Sequence, residues 1–462
     1  MTHVHFIGIG GSGLSAIARL LLEMGFTVSG SDRVLSPFAE ALKRDGATVH
    51  IGHQPSNLTG AEWIVRSSAV GDDNPEVQEA LKRGIPLYKR ADFLGRLMEE
   101  KTGIAVAGAH GKTTTTAMIA WSLFALGRDP SFIIGSTLTN LKTNARAGKS
   151  RLFVIEADEY DRMFLGLKPR IAVVTNVEHD HPDCYPTFED MLAAFRDFVA
   201  LLPADGTLVA CVDDPSAASL MNDARRAGRN VLGYGMPGET TINSPQWMLA
   251  RNVQVNARGG FDFDAASNLF PGAEVAHVSL QAPGKHNVQN ALAALAVTSL
   301  LGLPHKKAAE ALGEFRGTGR RFEVLGEAGG VTIINDYGHH PTEIRATLAA
   351  ARARYGARRI VAVWQPHTYS RTQALFEQFA NAFSDADEVI ATEVYASREP
   401  RQNFTSAMVI HSMHHPAPRF IAELNEVTKD LLDHLRPGDV LIVFSAGDAD
   451  RISADTLAGL QK

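Results

Sequence analysis

Two glycine-rich loops, Gly8-Ile9-Gly10-Gly11-Ser12-Gly13 and Gly108-Ala109-His110-Gly111-Lys112-Thr113, each stand between a short apolar run and a stretch whose apolar residues recur at helical spacing. Strand, tight glycine turn and helix in that order make the chain cross over and lay its next strand parallel. This commits it to sheets covered by helices. Two such starts require two sheets. With 462 residues the chain also exceeds the length over which one hydrophobic core keeps growing, so two or three domains are expected.

The first unit reads as strands Val4 to Ile9, Thr27 to Ser31, Thr48 to Ile51, Trp63 to Ser67 and Leu87 to Lys89, with helices at Leu14 to Met24 and Pro75 to Arg83, ending near Lys101. The second opens with strand Gly103 to Ala107 and a helix from Thr113. Buried-strand runs follow at Leu152 to Ile155 and Ile171 to Val174, then a helix Phe188 to Leu202 and a strand Thr207 to Val212. Shorter β pieces are expected from 231 to 281, then helices Val288 to Leu301 and Lys306 to Phe315. The glycine-containing run Arg316 to Gly319 reads as a hinge, with a boundary near Thr318. The third unit alternates again: Val331 to Asn335, Pro341 to Ala353, Ile360 to Gln365, Arg371 to Phe383, Glu388 to Glu393 and Val440 to Phe444. Residues 396 to 420 read as a loop with a short helix.

A formal net charge of -6 argues against a nucleic-acid or anionic-membrane partner, so anionic ligands must be held by local cations and backbone amides. Cys184 and Cys211 are too few for a disulfide framework and lack metal-site spacing, which predicts a reducing compartment. The first residues, MTHVHFIGIG, run straight into a strand, and no apolar run reaches spanning length. A cytoplasmic protein is expected.

The first loop satisfies G-x-G-x-x-G, and Asp32 ends the following strand. Backbone amides at that helix start would hold a diphosphate, whether of NAD, with Asp32 on a ribose, or of a UDP-sugar. In the second loop Val106 stands where a Walker loop begins with glycine, yet Gly111-Lys112-Thr113 supplies amide donors, an ammonium for terminal phosphates and a hydroxyl for Mg²⁺. Two acidic clusters, Glu156-Ala157-Asp158-Glu159-Tyr160-Asp161 and Asn176-Val177-Glu178-His179-Asp180-His181-Pro182-Asp183, follow buried strands on the side where α/β sheets bind ligands. Magnesium prefers oxygen ligands, so Glu156 beside Thr113 makes chemical sense, whereas His181 taken alone reads as a structural histidine. Asp336-Tyr337-Gly338-His339-His340-Pro341-Thr342-Glu343 and Gln365-Pro366-His367-Thr368-Tyr369-Ser370-Arg371-Thr372 put further histidines and charges at strand ends, where Thr342 and Ser370 also suit helix caps.

One loop for a diphosphate and one for ATP point to activation of a nucleotide-linked substrate. The ordered motifs GIGGSG, GAHGKTTTT, EADEYD, TNVEHDHPD, GKHNVQNALAA, GTGRRFE, DYGHHPTEI and QPHTYSRT resemble the Mur ligases over nearly the whole chain. The resemblance implies an α/β protein of three domains. These are a Rossmann-like UDP-sugar domain over 1–101, a P-loop-type central ATPase domain over 102–317 and a Rossmann-like C-terminal domain over 318–462 that brings the amino acid. It further implies that ATP and Mg²⁺ activate the carboxylate of UDP-N-acetylmuramate as an acyl phosphate, which the amine of L-alanine attacks.

On the same resemblance, Lys112 stabilises the transferring phosphoryl group, Thr113 and Glu156 surround one Mg²⁺ and His181 a second. Gly108, His110, Gly111, Thr114, His286, Asn287, Asn290, Arg320 and Asp336 fall to ATP. Gly10, Gly11, Ser12, Asp32, His53, Ser67 and Arg90 fall to the UDP-sugar. Tyr337, His339, His367 and Arg371 fall to the amino acid and the reacting carboxylate. No lysine occurs between Lys168 and Lys285, so the carbamoylated lysine of the later peptide-adding branches has no candidate here. That favours the alanine-adding branch or the tripeptide-recycling one, and QPHTYSRT with GTGRRFE favours the former. Two departures, Ala109 for the family's Thr and Ser445 for its Gly, predict a weaker loop hydrogen bond and a changed C-terminal loop. They keep open a non-catalytic nucleotide-binding regulator. An NAD-dependent oxidoreductase rests on the first loop alone.

Overall fold

The computed structural model describes residues 2–236, 244–269 and 275–461. Parts of the region 231–281, where short β pieces were expected, lie outside the described residues. The first sheet is wholly parallel, in the spatial order Thr48–Ile51, Thr27–Asp32, His3–Ile7, Trp63–Arg66, Leu87–Lys89. The first strand stops at Ile7 instead of reaching Ile9, because Gly8 turns the chain at φ +89.

The middle sheet is mixed and ten-stranded. Its parallel centre contains Thr102–Ala107, Leu152–Glu156, Ile171–Val174 and Thr207–Cys211. One flank carries the antiparallel pair Ser131–Leu138 and Thr143–Arg146, which the hydrophobic pattern did not reveal. The other flank runs through Asn230–Gly235 to Gln246–Val255, Phe261–Ser267 and Val275–Ser279, the last three antiparallel. The third sheet holds Val331–Asp336, Val440–Ser445, Ile360–Gln365 and Glu388–Ala391 in parallel. Glu323–Ala328 is antiparallel at one edge and Pro418–Phe420, unread in the sequence, parallel at the other. The helix expected over Arg371 to Phe383 is two short ones, Tyr369–Ala374 and Phe376–Ala380, broken at Leu375.

Helix ends are set by local chemistry that also aims the loops. Asn74 caps Pro75–Arg83 by accepting from the amides of Glu76 and Val77, and Gly84 ends it left-handed. In Pro341–Tyr355 the His340 ring accepts from the Thr342 amide, proline fills the first position and Glu343 the first turn.

Apolar packing divides the molecule unevenly. Val4, Phe6 and Phe93 of the first lobe belong to one continuous cluster with Phe153, Phe164 and Phe198 of the middle lobe. The other face of the middle sheet buries the helix Lys285–Leu300 against Lys112–Ala125, through residues such as Leu292, Leu295 and Met118. The third lobe keeps its own core on both faces of its sheet, around Trp364 and Val443. It meets the middle lobe through charged and polar side chains, a seam that opens at far less cost than an apolar interface.

Candidate active site

The middle-lobe loop leaves its strand at Gly108, where a Cβ would fall 1.9 Å from Thr175 Oγ1, and enters its helix at Gly111, left-handed at φ +82. No side chain caps that helix start, so its first amides remain for an anion. Asn176 braces the loop, accepting from the His110 amide at 2.8 Å and donating to the His110 carbonyl at 3.0 Å. The ammonium of Lys112 donates to the Gly108 carbonyl at 2.6 Å and to Glu159 at 2.8 Å. Burial works against its charge, but Glu159, with Asp158 and Glu156, outweighs that and raises its pKa.

Thr113 donates to Glu156 Oε1 at 2.9 Å, while Glu156 Oε2 takes the Gly135 amide at 2.6 Å. Burial pushes the Glu156 carboxyl up despite Lys112 nearby. A buried, under-compensated carboxylate beside a hydroxyl offers hard oxygens to a divalent cation, and this pair fits Mg²⁺. His181, at φ +56, has Nε2 3.6 Å from both Glu159 and Asp180.

Across the seam the third lobe brings Arg371, whose Nε donates to Asp180 Oδ1 at 2.8 Å and whose other nitrogens lie 3.1 Å from His367 Nδ1 and 3.4 Å from His181 Nδ1. His339 Nε2 is 3.8 Å from Asp180, and its ring lies between those of Tyr337 and His367. Burial holds His339 below the usual imidazole range and His367 down at about 3, so both are neutral at pH 7.

A second seam joins the loop to the helix Pro341–Tyr355. His110 Nε2 pairs with Glu178 at 2.8 Å, its Nδ1 approaches Glu343 at 3.4 Å, and Thr342 donates to Glu178 at 2.9 Å. Burial opposes a charge on His110, yet the two carboxylates outweigh it and lift the ring to about 9. His110, Glu178 and His340 bring ligand atoms within 4.8 Å of one another. A ring held protonated is a poor metal ligand, so His110 with Glu178 and Glu343 makes a charged clasp, beside which burial holds His340 down at about 4.

Between the lobes opens a cavity of about 860 Å³ lined by His110, Gly111, Thr113, Thr114, His286, Asn287, Asn290 and Asp336 among others. Burial, partly offset by Arg321, pushes Asp336 to about 6. Its carboxylate takes the amides of Phe322 and Gly338, each at 2.7 Å. Arg320, expected towards the ATP phosphates, donates from its guanidinium to the Ser445 carbonyl at 2.7 Å, and its neighbour Arg321 lines the cavity wall. The backbone at Arg320 is left-handed, at φ +55. The Ser445 hydroxyl donates to Gln365 at 2.8 Å and accepts from the Gly447 and Ala449 amides, so it orders the loop it was expected to disturb.

The first-lobe residues gather at the carboxyl end of their sheet. Asp32 Oδ2 takes the Gly10 amide at 2.8 Å. A Cβ on Gly13 would lie 2.7 Å from the Arg90 guanidinium and one on Gly8 3.1 Å from Ser67, so Arg90 and Ser67 flank the loop. His53 Nδ1 is 2.9 Å from the Ser31 hydroxyl. Gly11 precedes the helix Ser12–Glu23, whose start also has no side-chain cap. Sequence reasoning passed over Glu159, Asp180 and Glu343 as individuals although all three stand in motifs it singled out. The available signal was charge balance, since a buried lysine, arginine and histidine each need a carboxylate.

Fold and site define a three-lobed α/β enzyme class that handles nucleotides at strand ends and across a polar seam. Profiles described as Mur ligase family catalytic domain, Mur ligase middle domain and Mur ligase glutamate ligase domain match residues 3–102, 106–298 and 320–447. The chain is 44% identical over 455 residues to the UDP-N-acetylmuramate–L-alanine ligase of Roseiflexus sp., covering 97% of each. The crystal structure of the UDP-N-acetylmuramate-alanine ligase of Thermotoga maritima superposes with a TM-score of 0.80 at 28% identity over 99% of each chain. That of a murein peptide ligase from Psychrobacter arcticus superposes at 0.72 with 27% identity, over 100% of this chain and 99% of that one. The chain belongs to the Mur ligase family.

Proposed function

We propose that the protein joins L-alanine to the carboxylate of UDP-N-acetylmuramate at the expense of ATP, in the assembly of peptidoglycan precursors. The carrying observation is a continuous set of contacts from Lys112 to Arg371: Lys112 to Glu159 at 2.8 Å, Glu159 to His181 at 3.6 Å, His181 to Asp180 at 3.6 Å and Asp180 to Arg371 at 2.8 Å. Groups suited to a phosphoryl transfer and groups suited to an amino acid thus share one seam. The full-length identity to relatives named for this reaction supports the same reading.

In this reading residues 1–101 hold the UDP-sugar, 102–317 hold ATP and 318–462 bring the amino acid and close the site. The terminal phosphoryl group passes to a carboxylate oxygen of UDP-N-acetylmuramate as its bond to ADP breaks. The L-alanine amine then attacks the acyl carbon, phosphate leaves, and neutral His339 takes the amine proton. Lys112 meets the negative charge of the transferring group, and Arg371, fixed by Asp180, presents paired donors to the L-alanine carboxylate. Thr113 and Glu156 would hold one Mg²⁺ and His181 a second, supplying charge neutralisation between two anions. Among the described residues no helix is long and apolar enough to cross a membrane. The cytoplasm, where ATP is supplied, is the proposed location.

The test is phosphate release from ATP and Mg²⁺ with UDP-N-acetylmuramate, alone, with L-alanine or with the muropeptide tripeptide. Release that depends on L-alanine supports the proposal. Dependence on the tripeptide moves the protein to the recycling branch, and no release with either makes it a nucleotide-binding regulator.

A further inference from the structure

Beneath the first-lobe ligand face lies a carboxylate that no step of the reaction uses. Glu76, in the first turn of the helix Pro75–Arg83, is fully buried. Its Oε2 accepts from the Ser31 hydroxyl at 2.5 Å, and its Oε1 from Asn57 Nδ2 at 2.6 Å and the Gln54 amide at 3.2 Å. Strand Thr27–Asp32 and the loop after strand Thr48–Ile51 therefore meet at one side chain. Burial works against the Glu76 charge, but His5, whose Nε2 lies 3.5 Å from Oε2, with Ser31 and Asn57 outweighs that and brings the carboxyl down to about 2, so it is ionised and can only accept.

A hydroxyl has one proton to give. Ser31 gives it to Glu76, so across the 2.9 Å contact with His53 Nδ1 the serine oxygen must accept, and the ring proton sits on Nδ1. Nδ1 is also 3.5 Å from Glu76 Oε2, which favours the same arrangement. The opposite nitrogen, Nε2, is left for whatever lies over the strand ends. We infer that Glu76, acting through Ser31, is a positioning residue that fixes the tautomer and orientation of His53 for the UDP-sugar. This rests on the reading that the first lobe holds that substrate. Gln cannot replace Glu76, because its single amide oxygen cannot serve both Ser31 and the Asn57 and Gln54 donors.

The test is steady-state kinetics of the full-length enzyme with UDP-N-acetylmuramate varied, for His53→Ala, Ser31→Ala, the double variant and Glu76→Gln. Ser31→Ala is expected to raise KM for the UDP-sugar about tenfold, with kcat and the KM values for ATP and L-alanine within about twofold. The double variant should be no worse than His53→Ala alone, since both remove one coupled unit. If Glu76→Gln fails to fold, the Ser31 series still decides. A raised KM in His53→Ala with none in Ser31→Ala, or full additivity in the double variant, overturns the inference and leaves the substrate reading standing. An unchanged KM in His53→Ala overturns both.

Discussion

In the first lobe, strand His3–Ile7 turns at Gly8 into a helix that begins at Ser12; in the middle lobe, strand Thr102–Ala107 turns at Gly108 into a helix that begins at Lys112. Both helix starts lack a side-chain cap, so both expose backbone amides to an anion. They differ in what surrounds those amides. The middle loop adds a buried ammonium paired with Glu159 and a hydroxyl paired with Glu156. The first loop has Arg90 packed against Gly13 as its cation, with no carboxylate paired to it among the described residues, and closes on Asp32 through the Gly10 amide. On the proposed function each glycine loop receives a phosphate, and the charged groups around it set whether that phosphate is gripped or transferred.

The largest effect should separate the loops outright. Lys112→Ala is expected to cut phosphate release about a thousandfold, while calorimetry finds UDP-sugar affinity within about twofold of wild type. Equal loss of both would erase the contrast. Asp180→Ala, which strips Arg371 of its carboxylate, should lower kcat about a hundredfold and raise KM for L-alanine more than KM for ATP, read from initial rates.

A matched pair of glycine variants sharpens the comparison further. A Cβ on Gly10 would stand 2.7 Å from Ser36 Oγ, and one on Gly111 2.7 Å from Asn290 Oδ1 at a left-handed φ. Gly10→Ala should raise KM for the UDP-sugar alone and Gly111→Ala KM for ATP alone, each about tenfold. The smallest effect concerns the clasp that only the middle loop has. His110 is raised from its ordinary value to about 9, so its contribution is complete below pH 6.5 and is lost as pH rises through 9. Thermal melts should show wild type losing a few degrees relative to His110→Gln between pH 7 and pH 9.5; parallel curves would refute the clasp.

Most of the parallel strands and both loops were legible because buried strands and glycine turns leave local patterns: Ile171–Val174 is apolar throughout, and Gly108 and Gly111 mark their own turns. The hairpin Ser131–Leu138 with Thr143–Arg146 was not, because its apolar residues are interrupted by Gly135, Ser136 and Thr137 where the register shifts. Within the candidate site, the motifs named loops that the structure brings together, but not the pairings between them. Glu159 meets Lys112 because two strand-end loops of the middle sheet converge, and Asp180 meets Arg371 across the seam between lobes; no local spacing encodes either.

In the proposed reaction ATP activates the carboxylate of the UDP-sugar before L-alanine attacks. UDP-N-acetylmuramate labelled with ¹⁸O in both carboxylate oxygens, turned over with ATP and L-alanine, tests this by mass spectrometry of the released phosphate. Passage through an acyl phosphate puts one labelled oxygen in the phosphate and leaves the other in the amide. Phosphate free of label while the amide forms would contradict it.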